Sequence, residues 1–185
     1  LVASGADVIE VGVPFSDPMA EGPVIQKGHE RALANGMTLR KVLGTVAEFR
    51  QQNTQTPIVM MGYANPIERF GYEAFADACA EAGVDGLITV DLPPEEVDAI
   101  DTALQAVGLD NIFLISPTTP ESRIKTIVER ARGFIYCVAV KGVTGSGQLD
   151  TEAVSESVAL IRTKTTLPIA VGFGIKDAES ARAVA

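Results

Sequence analysis

The sequence predicts an α/β fold, a (β/α)8 barrel of which six strands lie in this chain. Three observations lead to this class. Short apolar, β-branched runs recur along the chain, a turn and an amphipathic stretch follow each run, and the runs are apolar throughout. Uniformly apolar runs are typical of parallel strands that are covered on both faces. Consecutive βα units leave two architectures open, a doubly wound sheet and a barrel.

The barrel is favoured because no Gly-rich dinucleotide turn follows the first strand, as a doubly wound nucleotide-binding sheet would require. A barrel typically needs about 250 residues, whereas this chain has 185. Leu1–Gly5 is typical of the last turn of a helix with a glycine stop, and the chain ends within a helix that begins at Asp177. We therefore expect residues 1–185 to be a single barrel domain truncated at both ends, without the first strand and the last βα unit.

The individual elements follow from the same periodicity. The predicted strands are Asp7–Val11, Pro57–Met61, Gly86–Val90, Asn111–Ile115, Gly133–Val138 and Pro168–Val171. The predicted helices are Leu39–Gln51, Tyr72–Ala82, Glu95–Ala106, Glu121–Arg130, Glu152–Thr163 and one from Asp177 onward, with an additional helix over Val24–Ala34. Gly5, Gly83 and Gly108 each precede a strand and suit the end of a helix.

Composition and charge argue against several classes of protein. Hydrophobic residues make up 46% and charged residues 21%, which is typical of a globular chain. The net charge of −9, with no Lys/Arg cluster, argues against nucleic acid or an anionic membrane surface as the main partner. No apolar run reaches the roughly 18 residues of a membrane span. Cys79 and Cys137 are expected to be buried thiols in a reducing compartment, and a single histidine without Cys/His spacing argues against zinc.

Glu10 is the first candidate for chemistry, because functional groups of barrels lie at the carboxyl ends of strands. It stands between Ile9 and Val11, so strand alternation directs it into the barrel interior. Burial without a cationic neighbour would raise its pKa, which suits a general acid/base. The alternative is a strand-end glutamate that reaches solvent. The loop that follows, Gly12–Pro23, is long for a βα connection, and such length more often indicates function.

Two glycine-rich loops follow the last two predicted strands. Lys141–Gln148 holds three glycines within six residues, and Gly172–Ile175 precedes the helix that begins at Asp177. Amides ahead of a helix N-terminus bind phosphate well, and barrels commonly place a phosphate there. A plain flexible loop is the alternative for the first of them, whereas the pair together favours phosphate binding.

Other polar residues at strand ends have an ordinary cap or core role as an equal alternative to a catalytic one. These residues are Tyr63, Asn65, Asp91, Ser116, Thr118 and Tyr136. His29 stands between charged neighbours on the additional helix, and we expect it to be a solvated residue rather than a ligand.

The first strand and its loop closely resemble the signature of tryptophan synthase α chains. The match covers Glu10–Pro18 and then Ala20-x-Gly22-Pro23-x-Ile25-Gln26. Further matches follow in the same order at Met61–Pro66, Asp91–Pro93, Gly142–Gly145 and Gly172–Ile175. The resemblance covers the whole chain without large gaps. It implies a (β/α)8 barrel lyase that cleaves indole-3-glycerol phosphate to indole and glyceraldehyde 3-phosphate.

The resemblance also implies roles for single residues. Glu10 and Glu21 are implied as catalytic carboxylates, with Glu21 where the family usually has Asp. The residues implied to bind the substrate are Tyr63, Ile88, Tyr136 and Thr144. Those implied to bind its phosphate group are Gly145 and Gly174. The implied interface with a β chain holds Pro14, Asp17, Asn65 and Pro93.

The implied assembly is a cytoplasmic α2β2 heterotetramer. No metal or cofactor is expected in this subunit, because pyridoxal phosphate belongs to the β partner. The alternative is a weakly catalytic or non-catalytic subunit that binds and activates a β chain, a reading kept open by the departure at Glu21.

Overall fold

The structure, a computed structural model, describes residues 1–139, 151–172, 175 and 177–184. The chain forms two compact units. Unit 1 comprises Leu1–Pro18 and Gly28–Asn111, and unit 2 comprises Met19–Lys27 and Ile112–Ala185.

The described residues form six strands that coincide with the six predicted runs to within a few residues at each end. They are β1 (Ile9–Gly12), β2 (Ile58–Gly62), β3 (Gly86–Thr89), β4 (Asp110–Ile115), β5 (Ile135–Val138) and β6 (Ile169–Gly172). The pairs β1–β2, β2–β3, β4–β5 and β5–β6 are all parallel, as the uniformly apolar runs indicated.

Eight α-helices alternate with these strands in the described part of the chain. They are α1 (Pro23–Ala34), α2 (Leu39–Arg50), α3 (Ala64–Phe70), α4 (Tyr72–Ala82), α5 (Asp98–Ala106), α6 (Glu121–Arg130), α7 (Thr151–Arg162) and α8 (Ala178–Val184). A short 3-10 turn over Val2–Ser4 ends at Gly5, which has φ 94°. None of the helices among these residues has the length and apolar character that a membrane crossing requires.

Helix α3 is the element that the sequence did not predict. It begins Ala-Asn-Pro, and Pro66 falls in the first turn, where a helix does not need the missing N–H. Gly71, with φ 92°, then turns the chain between α3 and α4. One predicted helix start was also wrong, since α5 begins at Asp98 rather than at Glu95.

In unit 1, β1 pairs with β2 and β2 pairs with β3, both parallel. The register places Val11, Met60 and Leu87 side by side, and Gly12, Met61 and Ile88 side by side. Both faces of β2 and β3 are apolar and mostly buried, which explains why these strands lack alternation. Helices α2, α4 and α5 each bury one stripe of side chains at helical spacing, and their polar faces remain exposed.

In unit 2, β4 pairs with β5 and β5 pairs with β6. Tyr136 lies opposite Leu114 on one side and Ala170 on the other. Helices α6 and α7 bury Ile124 and Ile127, and Val154 and Ile161, respectively.

Both cysteines are free and buried, so the prediction of buried thiols is confirmed. Burial raises the pKa of Cys79 to about 12 and also raises the pKa of Cys137. The thiolate, which is the reactive form, is therefore scarce near neutral pH.

Arg50 ties together the amino ends of β2 and β3. Its Nε donates to the carbonyl of Gly83 at 2.7 Å, and its Nη1 donates to the carbonyl of Thr56 at 2.7 Å. Its Nη2 meets Asp85 Oδ2 at 2.6 Å, and the same oxygen accepts the Ile58 N–H at 2.7 Å. No other side chain could make all of these bonds, because only the guanidinium of arginine carries five N–H donors in one planar group.

Replacing this guanidinium should destabilise the full-length protein. Arg50→Met keeps most of the apolar stem but leaves the part-buried carbonyls without their donor, at a cost of about 2–3 kcal/mol. The matched control is Lys125→Met, since the 3.9 Å pair of Lys125 with Glu129 is exposed and worth about 0.5 kcal/mol or less. Urea unfolding measures both values, and an equal effect of the two substitutions would contradict the role given to Arg50.

Candidate active site

The carboxyl ends of β1, β2 and β3 lie at one edge of the unit 1 sheet, because the three strands are parallel neighbours. The loops that leave this edge carry most of the residues singled out in the sequence. Pro14 and Asp17 follow β1, Tyr63 and Asn65 follow β2, and Pro93 follows β3. The sheet topology thus gathers these five residues at one edge.

Glu10, Ile88 and Tyr63 share one face of this sheet by register. Gly12, two residues after Glu10, pairs with Met61, and Met61 pairs with Ile88. Tyr63 lies two residues beyond Met61 in extended backbone, with φ −115° and ψ 152°. Side chains two residues apart in extended chain point to the same face. A carboxyl group, an aromatic ring and an apolar side chain therefore belong to one surface.

Glu10 shows features of both alternatives that its sequence pattern left open, a buried acid/base and a strand-end glutamate that reaches solvent. The residue is exposed, as the strand-end alternative anticipated. Partial burial nevertheless raises the pKa of its carboxyl above the ordinary glutamate value. A carboxyl with a raised pKa keeps its proton to higher pH than an ordinary glutamate does, which suits a group that donates a proton. The chemistry expected of Glu10 is thus supported by its surroundings, although the side chain is not enclosed.

Tyr63 is held from two sides within unit 1. Its ring, 2% exposed, contacts the ring of Phe15 with centroids 5.4 Å apart and a 31° angle between planes. The next residue, Ala64, donates its backbone N–H to Asp91 Oδ1 at 2.7 Å. Asp91 therefore has the cap role that the sequence left as one alternative. This bond connects the chain after β2 with the chain after β3.

The four residues implied as a partner interface differ in exposure. Asp17 and Asn65 are exposed, whereas Pro14 and Pro93 are half-buried. Asp17 also accepts a hydrogen bond from the Ser16 hydroxyl at 2.6 Å, which orients its carboxylate within the loop. Exposed polar groups flanked by half-buried prolines suit a surface that another chain could cover.

Unit 2 holds the second carboxylate. Glu21 is buried, with 8% of the residue exposed. The side-chain amide of Gln26 donates to the Glu21 carbonyl at 2.8 Å, and the Gln26 N–H donates to the Gly22 carbonyl. These bonds fix the backbone of Glu21 at the entry to α1. A buried charged residue in a loop is unusual and points to a specific role.

Tyr136, also in unit 2, packs directly over the backbone of Gly172. A Cβ at position 172 would overlap the hydroxyl and ring carbons of Tyr136, including Cε1 at 2.7 Å. The two residues lie on neighbouring strands, β5 and β6. Position 172 thus takes glycine because the Tyr136 ring occupies the space of a side chain, an explanation that the sequence alone did not suggest.

Three of the predicted site residues lie outside the described residues. They are Thr144, implied for the substrate, and Gly145 and Gly174, implied for phosphate.

His29 is the residue that sequence reasoning judged least well. It was expected to be a solvated face residue, but it is half-buried and its Nδ1 accepts the Phe15 N–H at 2.9 Å. The available signal was the long loop after β1, whose backbone amides all need acceptors.

Comparison with known proteins gives one consistent result. The family model described as "Tryptophan synthase alpha chain" matches residues 1–185. The tryptophan synthase alpha chain of Thiobacillus denitrificans is 60% identical over 185 residues, covering 100% of this chain and 68% of that protein. The crystal structure of tryptophan synthase subunit alpha from Legionella pneumophila has a TM-score of 0.89 at 47% identity, covering 99% of this chain and 67% of that chain.

A further similar structure describes the basis of mutual activation of the tryptophan synthase α2β2 complex from Pyrococcus furiosus. Its similar chain gives a TM-score of 0.89 at 36% identity and covers 99% of this chain and 74% of that chain. These likenesses confirm the predicted α/β fold of the (β/α)8 barrel class, with six strands in the described part of this chain.

The contact between Tyr136 and Gly172 predicts the outcome of a double-substitution experiment. Gly172→Ala should lower the free energy of unfolding by about 1–3 kcal/mol, because the new methyl forces the Tyr136 ring aside. Tyr136→Leu removes the atoms that the methyl meets, so the double variant should lose less stability than the sum of the single variants.

The matched control is Gly44→Ala in α2, where a Cβ would meet nothing within 4 Å. That substitution should stabilise the helix by up to about 1 kcal/mol. Urea unfolding of the full-length protein gives the energies, and the near-ultraviolet circular dichroism of tyrosine follows the ring. Additive losses at positions 136 and 172 would show that the two residues do not constrain each other.

Proposed function

The chain belongs to the tryptophan synthase alpha chain family, and we propose that it performs the reaction of that family with Glu10 as the proton-transferring group. The family consists of lyases that cleave indole-3-glycerol phosphate to indole and glyceraldehyde 3-phosphate in tryptophan biosynthesis. The observation that carries the assignment to Glu10 is its raised pKa on the sheet face that it shares with Tyr63 and Ile88.

The cleavage is a retro-aldol reaction that one carboxyl group can complete. Protonated Glu10 gives its proton to the indole ring carbon that carries the glycerol phosphate, and the ring becomes a cation. The resulting carboxylate takes the proton from the adjacent side-chain hydroxyl. As the aldehyde forms, the carbon–carbon bond breaks and its electron pair returns to the ring. The proton balance closes, and Glu10 is protonated again for the next turnover.

Glu21 stabilises the cationic intermediate in this proposal. A carboxylate beside the indole N–H offsets positive charge on the protonated ring, and it is most effective where water is excluded. The burial of Glu21 and the bonds that fix its backbone support this role. Glutamate is one methylene longer than the aspartate usual in the family, which changes the reach by about 1.5 Å, and misplacement of about 1 Å can cost roughly 10²-fold in rate.

The remaining pocket residues would supply walls and phosphate amides. Tyr63 and Ile88, on one face of the unit 1 sheet, offer the aromatic and apolar surfaces that an indole ring requires. By resemblance, Tyr136 and Thr144 also contact the substrate, and the amides of Gly145 and Gly174 bind its phosphate.

The partner of this subunit is a tryptophan synthase β chain, with which it forms an α2β2 heterotetramer in the cytoplasm. We assign Pro14, Asp17, Asn65 and Pro93 to the interface, because all four follow strands at one edge of the unit 1 sheet. This subunit needs no cofactor or metal for the retro-aldol step, since every transfer in it is a proton transfer. Pyridoxal phosphate serves the β partner.

Glu10→Gln should lower kcat of the full-length protein by at least about 10²-fold, because the amide has the size of the carboxyl but neither donates nor accepts the catalytic proton. Since the reaction starts from protonated Glu10, kcat/KM of the wild type should fall as the pH rises through the raised pKa of this residue. The steady-state rate of indole formation measures both quantities.

The control is Glu81→Gln on the exposed side of α4, which should leave the rate unchanged. Residual activity of Glu10→Gln above a tenth of the wild type would remove Glu10 from the proton-transfer role.

Glu21→Ala should lower kcat strongly with a smaller effect on KM, because the charge is needed for the intermediate more than for substrate binding. Glu21→Asp should preserve or raise kcat, since it restores the usual length of the family. The same indole assay measures both variants. A harmless alanine would show that Glu21 is not the second carboxylate. A wild type without turnover that still activates a β chain would favour the activating-subunit alternative.

A further inference from the structure

A long-range hydrogen bond attaches the loop after β1 to helix α1. The strand ladder continues to Val13, whose N–H donates to the Met61 carbonyl at 2.8 Å. Two residues later, the Phe15 N–H donates to Nδ1 of His29 at 2.9 Å, across 14 positions in sequence. This bond lies within unit 1 and is part-buried, so water competes with it only partly.

The direction of this bond specifies the state of the imidazole. A backbone N–H is always a donor, so Nδ1 must offer a lone pair and cannot carry a proton. His29 is therefore neutral in this geometry, with its proton on Nε2. Lysine, arginine or an aliphatic side chain at position 29 could not replace it as an acceptor.

Phe15 connects the loop after β1 to the proposed substrate site through a ring contact. Its ring contacts the ring of Tyr63, with centroids 5.4 Å apart, and Tyr63 is fully enclosed, with 2% exposed. Pro14 and Asp17 stand on either side of Phe15 in the same loop. The hydrogen bond at Phe15 thus affects the position of Tyr63, which is assigned to the substrate site. It also affects the positions of Pro14 and Asp17, which are assigned to the β-chain interface.

We propose that His29 is a positioning residue of the lyase, which fixes the Phe15 amide and thereby holds Tyr63 for the substrate and the β1–α1 loop for the β chain. The proposal rests on the proposed function, since that function supplies the roles of Tyr63, Pro14 and Asp17. A hydrogen bond of this kind shifts a local equilibrium about five-fold. That factor is too small to decide whether the protein folds, and large enough to be measured in substrate and partner binding.

Three substitutions separate positioning from a general structural role. His29→Asn places Oδ1 at the branch position of Nδ1 and keeps an acceptor for Phe15. His29→Gln moves its acceptor one methylene away, and His29→Leu has none. If the acceptor matters, we expect Asn to stay within two-fold of the wild type. Gln and Leu should raise KM for indole-3-glycerol phosphate and weaken activation by the β chain, each about five-fold.

A purely structural role would give the opposite ranking. Leu and Gln are better helix formers than Asn, so a role limited to the stability of α1 makes Asn the worst of the three. The measurements are kcat and KM of the full-length protein, alone and with saturating β chain, together with the amide NMR shift of Phe15. Gln and Leu within two-fold of the wild type, or Asn as harmful as Leu, would overturn the proposal.

The NMR readout keeps this test apart from the test of the proposed function. If the wild type cleaves no substrate, the function has failed. A Phe15 amide shift that His29→Leu leaves unchanged would reject the Phe15–His29 hydrogen bond on its own, as would a shift that Leu and Asn change equally. If Glu10→Gln abolishes activity while the three His29 variants match the wild type, the function stands and the positioning role is rejected.

Discussion

The parallel pairing of neighbouring strands is the constraint on which the site depends. In unit 1 it gives the sheet two chemically different edges. At the amino edge, Arg50 binds backbone carbonyls and Asp85, and these groups contribute to stability. At the carboxyl edge, the loops carry the residues assigned to substrate and partner. Substitutions at the two edges should therefore affect different properties, stability at one and turnover at the other.

Much of the fold could be predicted from the sequence, because strand and helix periodicities are local properties. The six strands were found in place, and one charge within an apolar run singled out Glu10 as a candidate. Features that depend on distant contacts could not be found in this way. Helix α3 was missed; it is only seven residues long, too short for a clear helical periodicity. His29 was misjudged because its partner, Phe15, lies 14 residues away. The fit of Tyr136 over Gly172 required the register of two strands.

The two glutamates differ in their exposure and in what surrounds them. Glu10 is exposed on a strand, yet partial burial raises the pKa of its carboxyl. Glu21 lies in a loop and is buried, with its backbone fixed by Gln26. A proton-transferring group needs access to the substrate and a pKa near the working pH, whereas a stabilising charge needs a dry and fixed position. The sequence motif names both residues, and their different environments are the basis for the two different roles proposed for them.

The loops at the carboxyl edge of unit 1 are connected by side chains rather than by a strand ladder. The Asp91 carboxylate accepts a hydrogen bond from the Ala64 N–H, and the His29 imidazole accepts one from the Phe15 N–H. Tyr63 stands between these two bonds, next to Ala64 in the chain and in ring contact with Phe15. Coupling between two sites requires a shared element, whose position both sites can bias. In the function and the positioning role proposed above, Tyr63 is that element, because the Ala64–Asp91 bond and the ring of Phe15 both bear on it. A partner that displaced either loop would then also act on the Tyr63 ring.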